Sequence, residues 1–259
     1  MRIDRFSLLL LFAGMFLIAF VCIVLGAMFY EQALDVSTFL EAMEDPAVID
    51  AIWISISATT CSTLIAFAFG VPLAYLLARR DFPGKNLVEG VLDIPMMIPH
   101  IVAGIALFEV FNRSGLVGGP LRMLGLTFQD SFPGVVVAML FMSFPYLVNS
   151  AREGFRSVDP RLEKVARSLG ASPWKAFLRV TFPLAFPSIF NGMLQCWSRG
   201  ISEFSAVLIL AYFPKSAPIL IYERFTTYGL SASRPVSVLL ILICLAIFAL
   251  SRLPRWRRA

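Results

Sequence analysis

Two ionisable side chains, Arg199 and Glu203, stand four residues apart in an apolar run, flanked by Ser198, Ser202 and Ser205. That spacing is just over one helical turn, so both fall on one helical face, within reach of each other. Charged groups in such a run are costly to desolvate; they pair, face protein or line water. Two readings follow. Either the pair is an internal salt bridge that holds helices together, or Arg199, with Ser202, Glu203 and Ser205, meets a passing anion or closes a gate. The spacing alone does not separate them. Gly192, Cys196 and Gly200 form a second row of small residues, suited to a close helix seam between copies or within one chain.

The rest of the reactive inventory is thin. His100 is the single histidine and follows Pro95 and Pro99. Without partners nearby in sequence it reads as a packed residue, not a metal ligand or proton relay. Asp93 and Glu109 lie at depths unrelated to Glu203, which gives neither the acid series of a gradient-driven transporter nor the cluster of an intramembrane enzyme. Cys22, Cys61, Cys196 and Cys244 all fall inside apolar runs and lack disulfide or metal spacing. The phosphate-binding pattern G-x-x-x-x-G-K-[ST] is not in the sequence. Any ATP hydrolysis therefore belongs to another chain, and no enzyme activity is expected of this one.

Around these residues the chain is organised by one basic segment, residues 162–187, wedged between long apolar runs. Asp159 can cap a short helix, Pro160 suits its first turn and Gly170 can end it. Leu162, Val165, Ala166 and Leu169 give that helix a single apolar stripe. Ser172-Pro173 starts a second helix through Val180, which Pro183 and Pro187 distort as it enters the next apolar run. A two-helix knob at a membrane face suits docking to another protein; an amphipathic loop lying on lipid is the alternative from periodicity.

Composition places this knob. Apolar residues make up 58% of the chain and charged residues 15%, with a mean hydropathy of +0.80, beyond a soluble globule. Crossing about 30 Å of hydrocarbon takes about 20 apolar residues. Six stretches qualify: 8–29, 51–77, 91–111, 133–150, 184–211 and 236–253. The expected fold is an all-α integral membrane protein of six transmembrane helices, one polytopic domain over residues 1–259. The first stretch exceeds the apolar core of a cleaved signal and reads as a retained helix. Ser55, Ser57, Thr59, Thr60, Ser62 and Thr63 in the second suit close helix packing, with a polar path as the alternative. Sixteen of the 22 Lys and Arg residues fall in one set of loops, which sets both termini in the cytoplasm. That bias accounts for the net charge of +5, with no nucleic acid implied.

The 162–187 segment resembles the cytoplasmic EAA loop of ABC importer permeases: Glu-Ala-Ala, three residues, Gly, nine residues, an aliphatic, one residue, Leu-Pro. Lys164, Val165 and Ala166 fill the triplet, Gly170 the glycine, Val180 the aliphatic and Phe182-Pro183 the final pair. Lys164 stands where the pattern has Glu, with Glu163 one position earlier, and Phe182 stands for Leu. The stretch from Arg199 to Ala206 resembles the Arg-x-x-Gly-Glu-Phe-Gly-Ala signature of molybdate and tungstate permeases, with Ser202 and Ser205 where glycines are common. Ala211 to Pro218, Leu220 to Phe225 and Gly229-Leu230 before Arg234-Pro235-Val236 resemble the same group. Sulfate or thiosulfate permeases, close relatives, are the alternative; an ion-gradient-driven secondary transporter is the more distant one.

The resemblance implies a type I importer permease that works as a homodimer in a prokaryotic cell membrane. It implies two ABC ATPase subunits, which bind the ATP and Mg, and an extracytoplasmic oxyanion-binding protein. It also assigns Leu162, Glu163, Lys164, Val165, Ala166, Leu169, Gly170 and Ala171 to the loop that couples to the ATPase.

Overall fold

The computed structural model describes residues 5–256, with side chains from residue 11, except residue 13, to residue 251. Of the basic residues on which the expected orientation rests, Arg2, Arg257 and Arg258 lie outside the described residues. The described chain is helical throughout. In order come α1 (Arg5–Ala33), α2 (Val36–Glu44), α3 (Pro46–Arg79), α4 (Lys85–Met97), α5 (His100–Phe111), α6 (Gly118–Met123) and α7 (Phe132–Ser157). Then follow α8 (Pro160–Ser168), α9 (Pro173–Ala176), a π-helical turn (Phe177–Thr181), α10 (Phe182–Ile201), α11 (Ser205–Leu210), α12 (Ala217–Tyr228) and α13 (Leu230–Trp256).

Two compact units form, one from residues 1–49 and 220–259, the other from residues 50–219. In the first, α1 carries exposed apolar side chains such as Phe12, Met15, Phe16 and Ile23, as a helix in contact with lipid requires. Asp35 caps α2 by accepting the Thr38 N–H at 3.4 Å. Arg224 pairs with Asp45 at the turn between α2 and α3. Partial burial pushes the Asp45 carboxyl up, but hydrogen bonds from the Ala47 N–H and from Arg224 outweigh it and hold the group below the usual carboxylate range.

In the second unit α10 lies along α7, and α11 lies along α5. One apolar core gathers Ala103, Leu107, Met139, Val207 and Leu210. Another gathers Val71, Leu147, Phe155, Ala185 and Ile189. Part of the Ser and Thr row of α3 is packed between helices: Ser55, Thr59, Ser62 and Thr63 are buried, Ser57 is half-buried and Thr60 is exposed. Thr59 Oγ1 donates to the Trp197 carbonyl at 3.0 Å, and Ser55 Oγ accepts the Ala217 N–H at 2.8 Å. The small-residue row of α10 serves seams within the chain. A Cβ on Gly192 would lie 2.8 Å from Ser150 Cβ in α7, and one on Gly200 would lie 2.3 Å from Thr59 Oγ1 in α3.

Among the described residues, five helical stretches are long and apolar enough to cross a membrane: Gly14–Ala33, Pro46–Arg79, Phe132–Ser157, Pro173–Ile201 and Leu230–Ser251. The expected third span, 91–111, is not one helix. It is the bent pair α4 and α5, which meet at 112°. Pro99 causes this break. It has no N–H to continue α4, and its ring forces Ile98 into extended backbone (φ −79°, ψ 147°).

The expected fifth span, 184–211, is also divided. Helix α10 stops at Ile201 and α11 starts at Ser205. At its other end the helical path reaches back to Pro173 through the π turn, where the Phe182 N–H bonds to the Phe177 carbonyl, five residues back. Pro183, just beyond, cannot donate the bond that would close an ordinary turn there.

Candidate functional site

The break after Ile201 places the charged residues. Ser202 ends α10 and leaves Glu203 outside any helix, so the expected single helical face does not exist. The pair forms all the same. Arg199 Nη2 donates to Glu203 Oε2 at 2.6 Å, and Arg199 Nη1 reaches Ser202 Oγ at 3.4 Å. The other carboxylate oxygen of Glu203 accepts the Ala206 N–H at 3.0 Å, which satisfies a donor in the first turn of α11. Glu203 therefore both pairs with Arg199 and begins the next helix. Its side chain has no exposure, whereas that of Arg199 keeps 17%. Ser205 starts α11, and its side chain makes no described contact with Arg199 or Glu203.

A third group joins them. His100, read from the sequence as a packed residue, is 46% exposed, and its Nδ1 lies 3.3 Å from Glu203 Oε2. Its ring nitrogens lie 2.8 and 2.9 Å from Arg199 Nη2. An imidazole nitrogen accepts from a guanidinium only when it carries no proton. The approach is set by the backbone. His100 opens α5 directly after the Pro99 break, and Gly104, one turn on, lets α5 close on α11: a Cβ there would be 3.0 Å from Ala206 Cα. Two helix interruptions thus meet, and between them stand a guanidinium, a carboxylate and an imidazole. Net of Glu203, the cluster offers a guanidinium with donors to spare, a half-exposed ring and the positive end of α5. Among the described residues no cluster of His, Cys, Asp and Glu could hold a metal ion.

The basic segment forms a projecting knob. Asp159 Oδ1 accepts the Arg161 N–H at 2.8 Å and caps α8. Gly170 closes the helix in the left-handed region, at φ 88°, with its N–H bonded to the Arg167 carbonyl and that of Ala171 to the Ala166 carbonyl. Ser172 caps α9 through the Lys175 N–H. No side chain of α8 is buried. Leu162, Lys164, Val165, Leu169 and Gly170 are exposed, with Leu169 at 84%, as is Trp174; Ala166 and Ala171 are half-buried. Glu163 turns the other way. It meets Arg79 and Tyr75 at the end of α3 and Thr181 in the π turn.

Comparison with known proteins agrees with this architecture. Residues 70–255 match the family described as binding-protein-dependent transport system inner membrane component. The molybdate/tungstate transport system permease protein WtpB of Thermococcus kodakarensis is 47% identical over 252 residues, 97% of each chain. Its counterpart from Pyrococcus abyssi is 46% identical over 239 residues, 92% of this chain and 91% of its own. Among solved structures, a chain of the bacterial alginate ABC transporter in complex with alginate pentasaccharide-bound periplasmic protein superposes with a TM-score of 0.74 at 18% identity. The match covers 95% of this chain and 92% of that one, so it bears on the fold alone. From the all-helical build with its apolar spans, and from a family match over most of its length, the chain belongs to the binding-protein-dependent transport system inner membrane components, the permeases of ABC importers.

Proposed function

We propose that this chain is the transmembrane permease of an ATP-driven, binding-protein-dependent importer of molybdate or tungstate. The supporting observation is near-full-length identity of 47% to a relative named for those oxyanions, in a chain that gathers Arg199, Glu203 and His100 at paired helix breaks. Both substrates are tetrahedral dianions. Passage demands contacts weak enough to release them, and a guanidinium already engaged with Glu203 meets that demand better than an unpaired one. Arg199, with Ser202, Glu203 and Ser205, is read as the pathway or gate. The extracytoplasmic oxyanion-binding protein supplies affinity and selectivity.

The chain itself is a single permease domain without catalytic residues or cofactor. ATP and Mg are bound by two partner ATPase subunits, and the apolar stripe of Leu162, Val165, Ala166 and Leu169 docks into one of them. Lys164, Gly170 and Ala171 shape the same surface. The chain sits in a prokaryotic cytoplasmic membrane, in contact with lipid and with both termini cytoplasmic. Uptake of molybdate or tungstate into vesicles holding permease and ATPase, with and without the binding protein and ATP, tests the reading. Uptake that needs neither ATP nor binding protein would refute it.

The docking role predicts the behaviour of Gly170→Asp. Nothing lies within 4 Å of a Cβ at this position, so the defect is conformational and not steric. A non-glycine residue held at φ 88° costs about 1–2 kcal/mol; α8 then ends in another geometry and Leu169 moves. Less ATPase is expected to co-purify with the mutant, at unchanged permease yield in the membrane. Equal retention by parent and mutant would place the docking surface elsewhere.

The working unit is read as a homodimer, because two copies enclose polar faces that one copy presents to lipid. Native mass measurement of the purified complex should give two permease and two ATPase chains. A single permease bound to one ATPase would overturn it.

A further inference from the structure

We propose that Glu163 is a positioning residue: its carboxylate fixes the docking helix α8 to the ends of two membrane helices, so that movement imposed on α8 reaches both together. The inference rests on the importer reading above. Helix α8 has no buried side chain, so packing alone holds it weakly. What ties it down is polar. Glu163 Oε1 accepts from Arg79 Nε at 3.0 Å and from Thr181 Oγ1 at 2.6 Å. Its Oε2 accepts from the Tyr75 hydroxyl at 3.1 Å. Arg79 also donates through Nη2 to the Val158 carbonyl at 2.9 Å, just ahead of α8. The donors belong to the last turns of α3 and to the π turn that leads into α10, so one carboxylate joins three elements.

The surroundings make these bonds strong. The Glu163 side chain is 18% exposed and that of Arg79 9%, and Thr181 is buried. Tyr75 packs edge-on against Phe155 and Phe177, at ring-centroid distances of 5.4 and 4.7 Å. A charged hydrogen bond shielded in this way weakens little with salt, and its loss leaves a guanidinium without its counter-charge. The connection also reaches an irregular place. A π turn carries an extra residue, a feature frequent at functional sites, and Thr181 is its last residue. Movement of α8 is therefore passed to α10 at that turn, and α10 carries Arg199 in its last turn.

The test uses the complete complex of permease, ATPase and binding protein in vesicles, and reads molybdate taken up per ATP hydrolysed. Glu163→Ala and Arg79→Ala are each expected to lower that ratio about tenfold, inside the usual range for coupling between sites. The double variant should fall no further than either single one, within about twofold, because the two side chains act as one unit. Glu163→Gln keeps the shape and one acceptor oxygen, which still takes the Thr181 hydroxyl while its NH2 donates to the Tyr75 oxygen, so it should fold even if the alanine variant does not. Its ratio should drop about threefold, short of the full coupling loss. An unchanged ratio in both Glu163 variants overturns the inference. So does a double variant that falls about a hundredfold by simple multiplication, because Glu163 would then act without Arg79, for example directly on the ATPase. Failure of the parent complex to show binding-protein-dependent uptake would instead refute the importer reading, and this inference with it.

Discussion

Arg199→Met is expected to destabilise the protein by about 3–5 kcal/mol, because it leaves the buried Glu203 carboxylate without its counter-charge. Glu203 has no exposure, so water cannot take the guanidinium's place. The Ala206 N–H and the half-exposed His100 are the partners left to it. Glu203→Leu should also destabilise, by a smaller margin, because Arg199 keeps some access to solvent while α11 loses the acceptor at its first turn. Combining Arg199→Met with Glu203→Leu replaces the pair by apolar groups of similar size, and stability should return to within about 1–3 kcal/mol of the parent, the remainder being the Ala206 N–H left without its acceptor. Thermal melts of purified permease measure this. Uptake is the second readout, and it should stay impaired in the double variant if Arg199 meets the oxyanion or closes the gate. Recovery of both would leave the pair as scaffold alone and sink the pathway role.

The cluster was only half legible in the sequence, for an identifiable reason. Two ionisable residues four apart announce a pair whatever the backbone does, because either side chain spans a turn. The end of α10 at Ile201 was not announced. The stretch 184–211 reads as one continuous apolar run, and the interruption arises where the Glu203 carboxylate takes the Ala206 N–H and starts a new helix. His100 was missed because its partners lie 99 residues or more away in sequence, beyond any periodicity. A signal existed in Pro99: a proline directly before the histidine breaks the helix and leaves that residue at an exposed first turn.

The knob was more legible, since caps, prolines and the left-handed glycine are local chemistry. Asp159, Ser172 and Gly170 do what their residue types prescribe. What the stripe did not reveal is the inward turn of Glu163. A carboxylate on an exposed basic helix looks solvated until the end of α3, some eighty residues earlier, supplies its donors. For the Ser and Thr row of α3, composition left packing and a polar path open. The fold spends Thr59 and Ser55 on backbone partners, which is packing, while Thr60 stays exposed.

That packing sets up Gly200→Ala, the smallest change expected to disturb both the seam and the site. An added Cβ would stand 2.3 Å from Thr59 Oγ1, with Ser62 Oγ 3.6 Å away on the same side. Thr59 cannot simply rotate away, because its hydroxyl is held by the Trp197 carbonyl at 3.0 Å and the residue is fully buried. Overpacking of this kind costs about 1–3 kcal/mol. The Gly200 carbonyl also accepts the Glu203 N–H at 3.0 Å, so a shift of α10 away from α3 carries Arg199 and the turn with it, and uptake should fall along with stability. Thr59→Ala removes the obstructing oxygen. On its own it should cost about 1 kcal/mol through the lost hydrogen bond. In the Gly200→Ala background it should restore most of the lost stability, because the clash has gone and both helices favour alanine. Melts of the four proteins in one detergent give the coupling energy directly. Additive losses would mean that α3 and α10 accommodate the methyl group elsewhere, and that their separation at Gly200 does not set the position of Arg199.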